Sequence, residues 1–355
     1  MTDIRRRNAL GLLAGGMALL AGCSSSSGGN GNGNGNDNGN DNGNSTDTTD
    51  SGTTNSAAET LPPYASMLPT TDQSEYFYGA IDVRTMSTLI EDQGAEAGKE
   101  PTDPLVGNPV VVALLSSFGL EKLATSAGFN AYNENNETAN GDEQFVYADG
   151  VYALVGSYDR DGIATDLEAA GYTLETESDG YAVYADSESD AVVGVTETVY
   201  AYSYPNAADS SFDPAAAVER TVATAAGDQT PKHEADGDFE QLLRAGKNSG
   251  IACCLYTEND AFASGTLSDD QTGTENELQF EFGAFEGAYG VHQNLSVTSS
   301  DTATARATVS YSSDELVDKG TLESSLGTEA NTATVNRAET TVTVDAEYGG
   351  EFARE

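Results

Sequence analysis

Between Ser24 and Thr60 the only hydrophobic residues are Ala57 and Ala58, so 37 consecutive residues have almost nothing to bury. A Gly/Asn/Asp tract runs from Gly28 to Asn44 and passes into a Ser/Thr/Asp stretch. Ordering a residue's backbone costs about 1–2 kcal/mol, and no apolar burial offsets that cost here. The segment reads as a disordered tether with an r.m.s. reach of roughly 30–37 Å. Whatever folds must lie in residues 61–355. The tract's GxGxG and DxNxD echoes carry no chemistry. No strand leads into them, and no acidic twelfth residue completes a calcium loop.

Ahead of the tether, residues 1–22 read as an export signal. Arg5, Arg6 and Arg7 form a positive start, and Ala9–Leu20 form an apolar stretch of 12 residues, diluted by Gly11, Gly15 and Gly16. That is too short to span about 30 Å of hydrocarbon as a helix. Paired arginines before a weak apolar stretch match a twin-arginine signal, which exports folded proteins, although Asn8-Ala9-Leu10 departs from the usual apolar pair. An ordinary secretory signal is the alternative. Leu20-Ala21-Gly22-Cys23 then matches a lipobox: an aliphatic residue, two small ones that fit a peptidase groove, and a thiol to carry lipid. A lipid on Cys23 supplies about 0.8 kcal/mol per buried CH₂ and makes the membrane the first partner.

The chain carries 58 acidic residues against 15 Lys and Arg, a formal net charge of −43. A phosphate backbone would be repelled, which excludes nucleic acid as a partner, and an anionic lipid surface offers no electrostatic attraction.

From Leu61 onward strand and helix patterns alternate. Strands are expected at Glu75–Val83, Phe145–Tyr147, Val151–Val155, Tyr172–Thr176, Tyr181–Ala185, Ala191–Val195 and Val199–Tyr204. Asp149-Gly150 has the residues a type I′ hairpin turn requires. Helices are expected around Met86, Leu89 and Ile90, from the apolar run Val110–Leu115 to Ala127, over Ile163–Ala170 with Gly171 at its end, and from Asp213-Pro214 to Gly227. Asn130–Asn140 reads as a surface loop. The charged run Asp228–Asp238 reads as a boundary between a first domain, 61–230, and a second, 231–355.

In the second segment a helix is expected near Phe239–Ala245, with strands at Ile251–Tyr256, Leu278–Phe285, Leu295–Thr298, Thr304–Tyr311, Thr332–Val335 and Thr340–Ala346. Ser312-x-x-Glu315 reads as a capping box opening a helix that ends at Gly327. Strands outnumber helices and hairpins outnumber crossovers. The fold class is therefore α+β, with largely antiparallel sheets each covered on one face by helices. Ser157-Tyr158 and Ser310-Tyr311 each lead through a helix to Leu-Glu and a Gly. That echo fits two related αβ halves, and equally the shared grammar of a strand feeding a capped helix.

Residues that could do chemistry are few. His233 falls in the hydrophilic boundary and reads as solvated, and His292 sits near a strand end. Neither has a second His or Cys at ligand spacing, so no metal site is expected. Hydrolase motifs are absent, so no catalytic residue and no cofactor are assigned. Cys253 and Cys254, as strand neighbours, point to opposite faces. Glu175, Glu177, Asp179 and Asp186 have partial calcium-loop spacing, but Asp179-Gly180 serves equally as a turn. Tyr200, Tyr202 and Tyr204 alternate along one strand and share one face. They form either a core stripe or a stacking platform for a flat ligand such as a glycan. Asn44, Asn136 and Asn294 stand in Asn-x-Ser/Thr sequons.

The signal, lipobox, tether and Lys-poor acidic composition together resemble the exported lipoproteins of halophilic archaea, a resemblance confined to about residues 1–60 plus composition. It implies a place, the extracellular face of the membrane, and no activity. The expectation is a non-enzymatic, surface-anchored interaction or envelope protein. The alternative is an extracellular binder of a small molecule or glycan. Dense carboxylates are compatible with molar salt, where the Debye length is about 3 Å, and repel one another in dilute buffer. Circular dichroism is expected to show a lower melting temperature in dilute buffer than in molar KCl. Equal stability in both would remove the halophilic reading.

Overall fold

The structure, a computed structural model, describes residues 60–83, 85, 101–139, 142–206, 210–246, 250–263, 280–299 and 302–349. The export signal, Cys23, the tether with Asn44, and the helix expected around Met86, Leu89 and Ile90 lie outside the described residues. The strands are β1 (Glu75–Asp82), β2 (Gln144–Ala148), β3 (Val151–Val155), β4 (Tyr172–Glu177), β5 (Ala182–Asp186) and β6 (Val192–Val195). They continue as β7 (Val199–Ser203), β8 (Ile251–Thr257), β9 (Gly290–Ser299), β10 (Thr302–Ser310), β11 (Thr332–Ala338) and β12 (Thr341–Gly349). The helices are α1 (Pro104–Ala124), α2 (Phe129–Glu134), α3 (Arg160–Ala169), α4 (Pro214–Ala225), α5 (Lys232–Ala235), α6 (Gly237–Ala245) and α7 (Lys319–Ser325). Short 3-10 turns occupy Pro63–Met67 and Gly283–Phe285.

All twelve described strands belong to one antiparallel sheet, in the order β11-β12-β10-β9-β8-β1-β2-β3-β7-β6-β5-β4. Segments 61–230 and 231–355 meet in its middle, where β1 pairs with β8 from Glu75↔Thr257 to Ile81↔Ile251. Outward from this seam the two halves run alike. Each has a first strand, a hairpin (β2–β3 or β9–β10) and a helix (α3 or α7). In each, a final strand (β7 or β12) then pairs with the second hairpin strand. The Ser157-Tyr158 and Ser310-Tyr311 echo falls at equivalent places, just before α3 and at the end of β10. Among the described residues, strands β4 and β5 extend the first half alone.

Helices cover the sheet's centre on both faces, rather than one. On one face α1, α3 and α7 bring Leu105, Val112, Leu120, Ile163, Leu167 and Leu322 onto Phe145, Leu154, Cys253 and Val344. On the other, α4, α6 and the first 3-10 turn bring Val218, Val222, Phe239, Leu242 and Met67 onto Val146, Val183, Ala201 and Cys254. This is why β8 is apolar throughout except at its last residue and buried at every position. Gly119 lets α1 settle on the sheet, since a Cβ there would stand 2.5 Å from Tyr152 Cδ1 and 2.6 Å from Phe145 Cζ. Among the described residues α1 is long and apolar enough to cross a membrane, yet most of it is buried inside the fold. The second half has no counterpart of α4 among the described residues. Accordingly Thr304, Arg306, Thr341, Thr343 and Asp345 replace the valines and alanines of the first half and are half-buried.

Several local signals act as expected. Asp149 and Gly150 take φ of 47° and 76°, Asp213 accepts from Ala215 N and Ala216 N, and Gly171 takes φ 97° after α3. Others are overridden. Asn130–Asn140 begins inside α2, because Ala131 and Tyr132 are buried in the core. The helix before Gly327 is capped by Asp318, which accepts from Thr321 N, and Ser312–Glu315 only turns. Phe280–Phe282 form no strand. The Asn108 amide takes the place of a ladder partner, donating to Glu281 O at 2.9 Å and accepting from Glu281 N at 2.7 Å. Within the run Asp228–Asp238, Pro231, Lys232 and His233 are buried, with Lys232 N donating to Leu68 O and Pro231 bridged to Pro69, while most of the rest is exposed. His233, expected in solvent, is buried with Nδ1 3.1 Å from Ala65 O.

Asp103, fully buried, joins three distant pieces of chain. Oδ1 accepts from Leu105 N and Gly327 N at 3.1 Å each, and Oδ2 from Tyr348 OH at 2.8 Å and Glu329 N at 3.4 Å. The start of α1, the loop after α7 and strand β12 are thereby fixed together. Asp103→Ala strands several buried donors and is expected to cost about 3–4 kcal/mol in urea unfolding at molar salt. A loss below about 1 kcal/mol would show that the carboxylate fixes little.

Candidate functional site

Tyr200, Tyr202 and Tyr204 do share one face of β7, but that face lies beneath α1 and the turn that follows it. Tyr200 and Tyr202 are 0% and 1% exposed, and their hydroxyls donate to Gly128 O at 3.2 Å and Gly119 O at 2.7 Å. Tyr204 is half-buried and donates to Lys122 O at 3.1 Å. Tyr202 stacks on Tyr152 with centroids 5.5 Å apart, and Tyr200 packs on Tyr132 at 5.3 Å. The ligand-stacking reading is therefore withdrawn: protein already occupies these ring faces. Burial drives the Tyr200 and Tyr202 hydroxyls well above the usual phenol range. The alternation showed correctly that the rings share a face, but periodicity carries no information about what covers it.

A polar centre missed in the sequence surrounds Glu143, which is 5% exposed just before β2. Its carboxyl accepts from Tyr158 OH at 2.5 Å, Tyr132 OH at 2.8 Å and Asn136 Nδ2 at 3.1 Å. Burial raises its pKa above the usual 4.5, while the three donors oppose the shift. Asn136 Nδ2, the atom a glycan would occupy, is held by Glu143 and Tyr132 OH. Asn294 is buried in β9. Both described sequons are thus closed in the folded protein.

A second missed centre is an aromatic cage. Lys232 Nζ lies 5.6, 5.5 and 5.1 Å from the ring centroids of Tyr76, Phe239 and Tyr256, and 3.3 and 2.9 Å from Asp236 and Glu258 carboxylate oxygens. Aromatic rings with acidic neighbours form a cation site. Here the bound cation is the chain's own side chain. Burial pushes the Asp236 carboxyl up, but Tyr256 OH, Phe239 N–H and Lys232 together hold it below the usual range.

Cys253 and Cys254 point to opposite faces and both are fully buried free thiols, since helices cover both sides of β8. Cys254 stands across from His292 on β9. Burial raises both thiols and lowers His292 to about 4, so this pair is held neutral. Thiol activation requires the opposite shifts. The His292 ring fits over Gly246, where a Cβ would stand 2.2 Å from Cε1. Glu175 and Glu177 are exposed on β4. Among the described residues no three His, Cys, Asp or Glu side chains gather as a metal-ligand set.

No family model matches the chain, and no curated protein matches it. Among solved structures, one titled "Structure of crystal form I of TP0453" is similar at 11% identity and a TM-score of 0.39. The match covers 83% of this chain and 95% of that one. Likeness at that level transfers neither fold nor activity.

The raised pKa of Glu143 means the native state binds its proton more tightly than the unfolded chain. Its contribution to stability therefore grows as pH falls through the raised value toward 4.5, and is lost as pH rises. Urea unfolding of wild type and Glu143→Gln at pH 7 and pH 5 is expected to show the difference moving in favour of wild type at pH 5. A pH-independent difference would contradict the assignment.

Proposed function

We propose that the chain is a lipid-anchored protein of the extracytoplasmic membrane face that acts by interaction rather than by turning over a substrate. The observation that carries this reading is Leu20-Ala21-Gly22-Cys23, placed directly after the apolar stretch and directly before the tether. A single acyl chain binds membranes only marginally, so stable anchoring requires two chains on Cys23 or an added contact. The tether then holds the folded sheet clear of the bilayer.

The absence of turnover is supported by where the reactive groups sit. Glu143 and Lys232 are spent on fastening, and Cys254 and His292 are buried and neutral. The glycan-binding alternative rested on Tyr200, Tyr202 and Tyr204, and it loses that support with their burial.

Expressed in a haloarchaeal host, the wild-type chain is expected in the membrane fraction with a lipid mass on Cys23. Cys23→Ser is expected to shift it to the soluble fraction or the medium. Unchanged membrane association of Cys23→Ser would refute the anchor.

A further inference from the structure

Among the described residues the sheet is open, with edges at β4 and β11. An edge strand presents unpaired N–H and C=O groups, and proteins blunt such edges with bulges, charges or proline. Edge β4 carries these devices. Its register with β5 breaks between Leu174 and Thr176, and Glu175 and Glu177 are exposed along it. Edge β11 carries no bulge, no proline and no carboxylate. Its register with β12 runs unbroken from Thr332↔Glu347 to Ala338↔Thr341, and among the described residues it pairs only with β12. Thr332-Ala-Thr-Val-Asn-Arg-Ala338 contains no acid, proline or glycine, and every residue but half-buried Val335 is exposed. Its one charge, Arg337, is matched by Asp314 at 2.6 Å. A neutral, flat, exposed edge is an exception in a chain of net charge −43.

Charge and geometry also select the occupant. Pairing β4 with β4 of another copy would bring glutamates together across a bulge. Pairing β4 with β11 would meet the same bulge and add copies head to tail without closing. Pairing β11 with β11 closes on a two-fold axis with no carboxylate within the paired strands. We propose that β11 is a dimerisation edge, on which a second copy of this chain adds its own β11 antiparallel and continues the sheet through both molecules. With the axis at Val335, Ala333 faces the other copy's Arg337, and Glu339 faces Asn331 rather than an acid. Two bodies of charge −43 repel in dilute buffer, and molar salt screens that repulsion to about 3 Å. The dimer is therefore strengthened by salt, the reverse of an interface built on ion pairs.

The test uses the full chain carrying Cys23→Ser, which removes lipid-driven association, in molar KCl. Sedimentation equilibrium is expected to show a dimer. Adding Asn336→Glu and Ala338→Glu, both at exposed positions, is expected to weaken it at least tenfold with an unchanged circular dichroism spectrum. In a second measurement, Val335→Cys is expected to oxidise to a disulfide-linked dimer, since facing residues of paired strands lie within disulfide reach. Leu174→Cys on β4 is expected to form no disulfide-linked dimer. A monomer at molar salt, a dimer indifferent to the edge glutamates, or equal cross-linking through Leu174→Cys would each overturn the proposal. The lipid anchor is read separately by membrane fractionation.

Discussion

Two-sided burial of the central strands is the constraint on which the rest of the structure depends. Once β1 and β8 have no solvent-facing side, apolar helices must supply a layer on each face. The chain meets this demand with α1 on one side and with α6 and the Pro63–Met67 turn on the other. The demand relaxes outward. Where α4 lies over the first half, Val183, Val192 and Ala201 meet it. In the second half, where no described helix takes that place, the same face turns to threonine, arginine and aspartate. One sheet thus changes from a core element to a half-solvated one along its own width.

The buried polar groups follow a single logic. Removing a carboxylate or ammonium from water is costly unless its hydrogen-bonding capacity is filled. Asp103 takes four donors, Glu143 three, and Lys232 two carboxylates and three rings. Two of them join segments far apart in sequence: Asp103 ties α1 to β12, and Lys232 sits between the first 3-10 turn and the end of β8. Most of the acidity remains outside, where it solvates the surface, while these few charges specify which segments meet.

What could be read from the sequence was what is decided locally. The Asp149-Gly150 turn, the Asp213-Pro214 cap and Gly171 depend on two or three residues each, and the structure bears them out. The start of α1 was hidden because Pro104, Gly107 and Pro109 resemble a connector. They become helical through Asp103, whose other partners lie more than 220 residues away. Phe280–Phe285 looked like a strand because nothing nearby reveals that Asn108 supplies its hydrogen bonds. The single sheet was hidden for the same reason, since the β1–β8 pairing is a contact between distant segments. The proposed lipid anchor rests on a contiguous motif, Leu20-Ala21-Gly22-Cys23, and so needs no tertiary contact to be read. Glu143 and Lys232 were invisible because only the partners assembled by the fold distinguish them from other charged residues.

The seam between β1 and β8 also sets an order of events. Residue 75 waits for residue 257, so more than two-thirds of the chain must be made before the sheet's centre can close. Until then β1 is itself an edge, rich in aromatic residues and unprotected on the side that β8 later fills. Non-local strand pairing of this kind is slow and exposes the chain to aggregation.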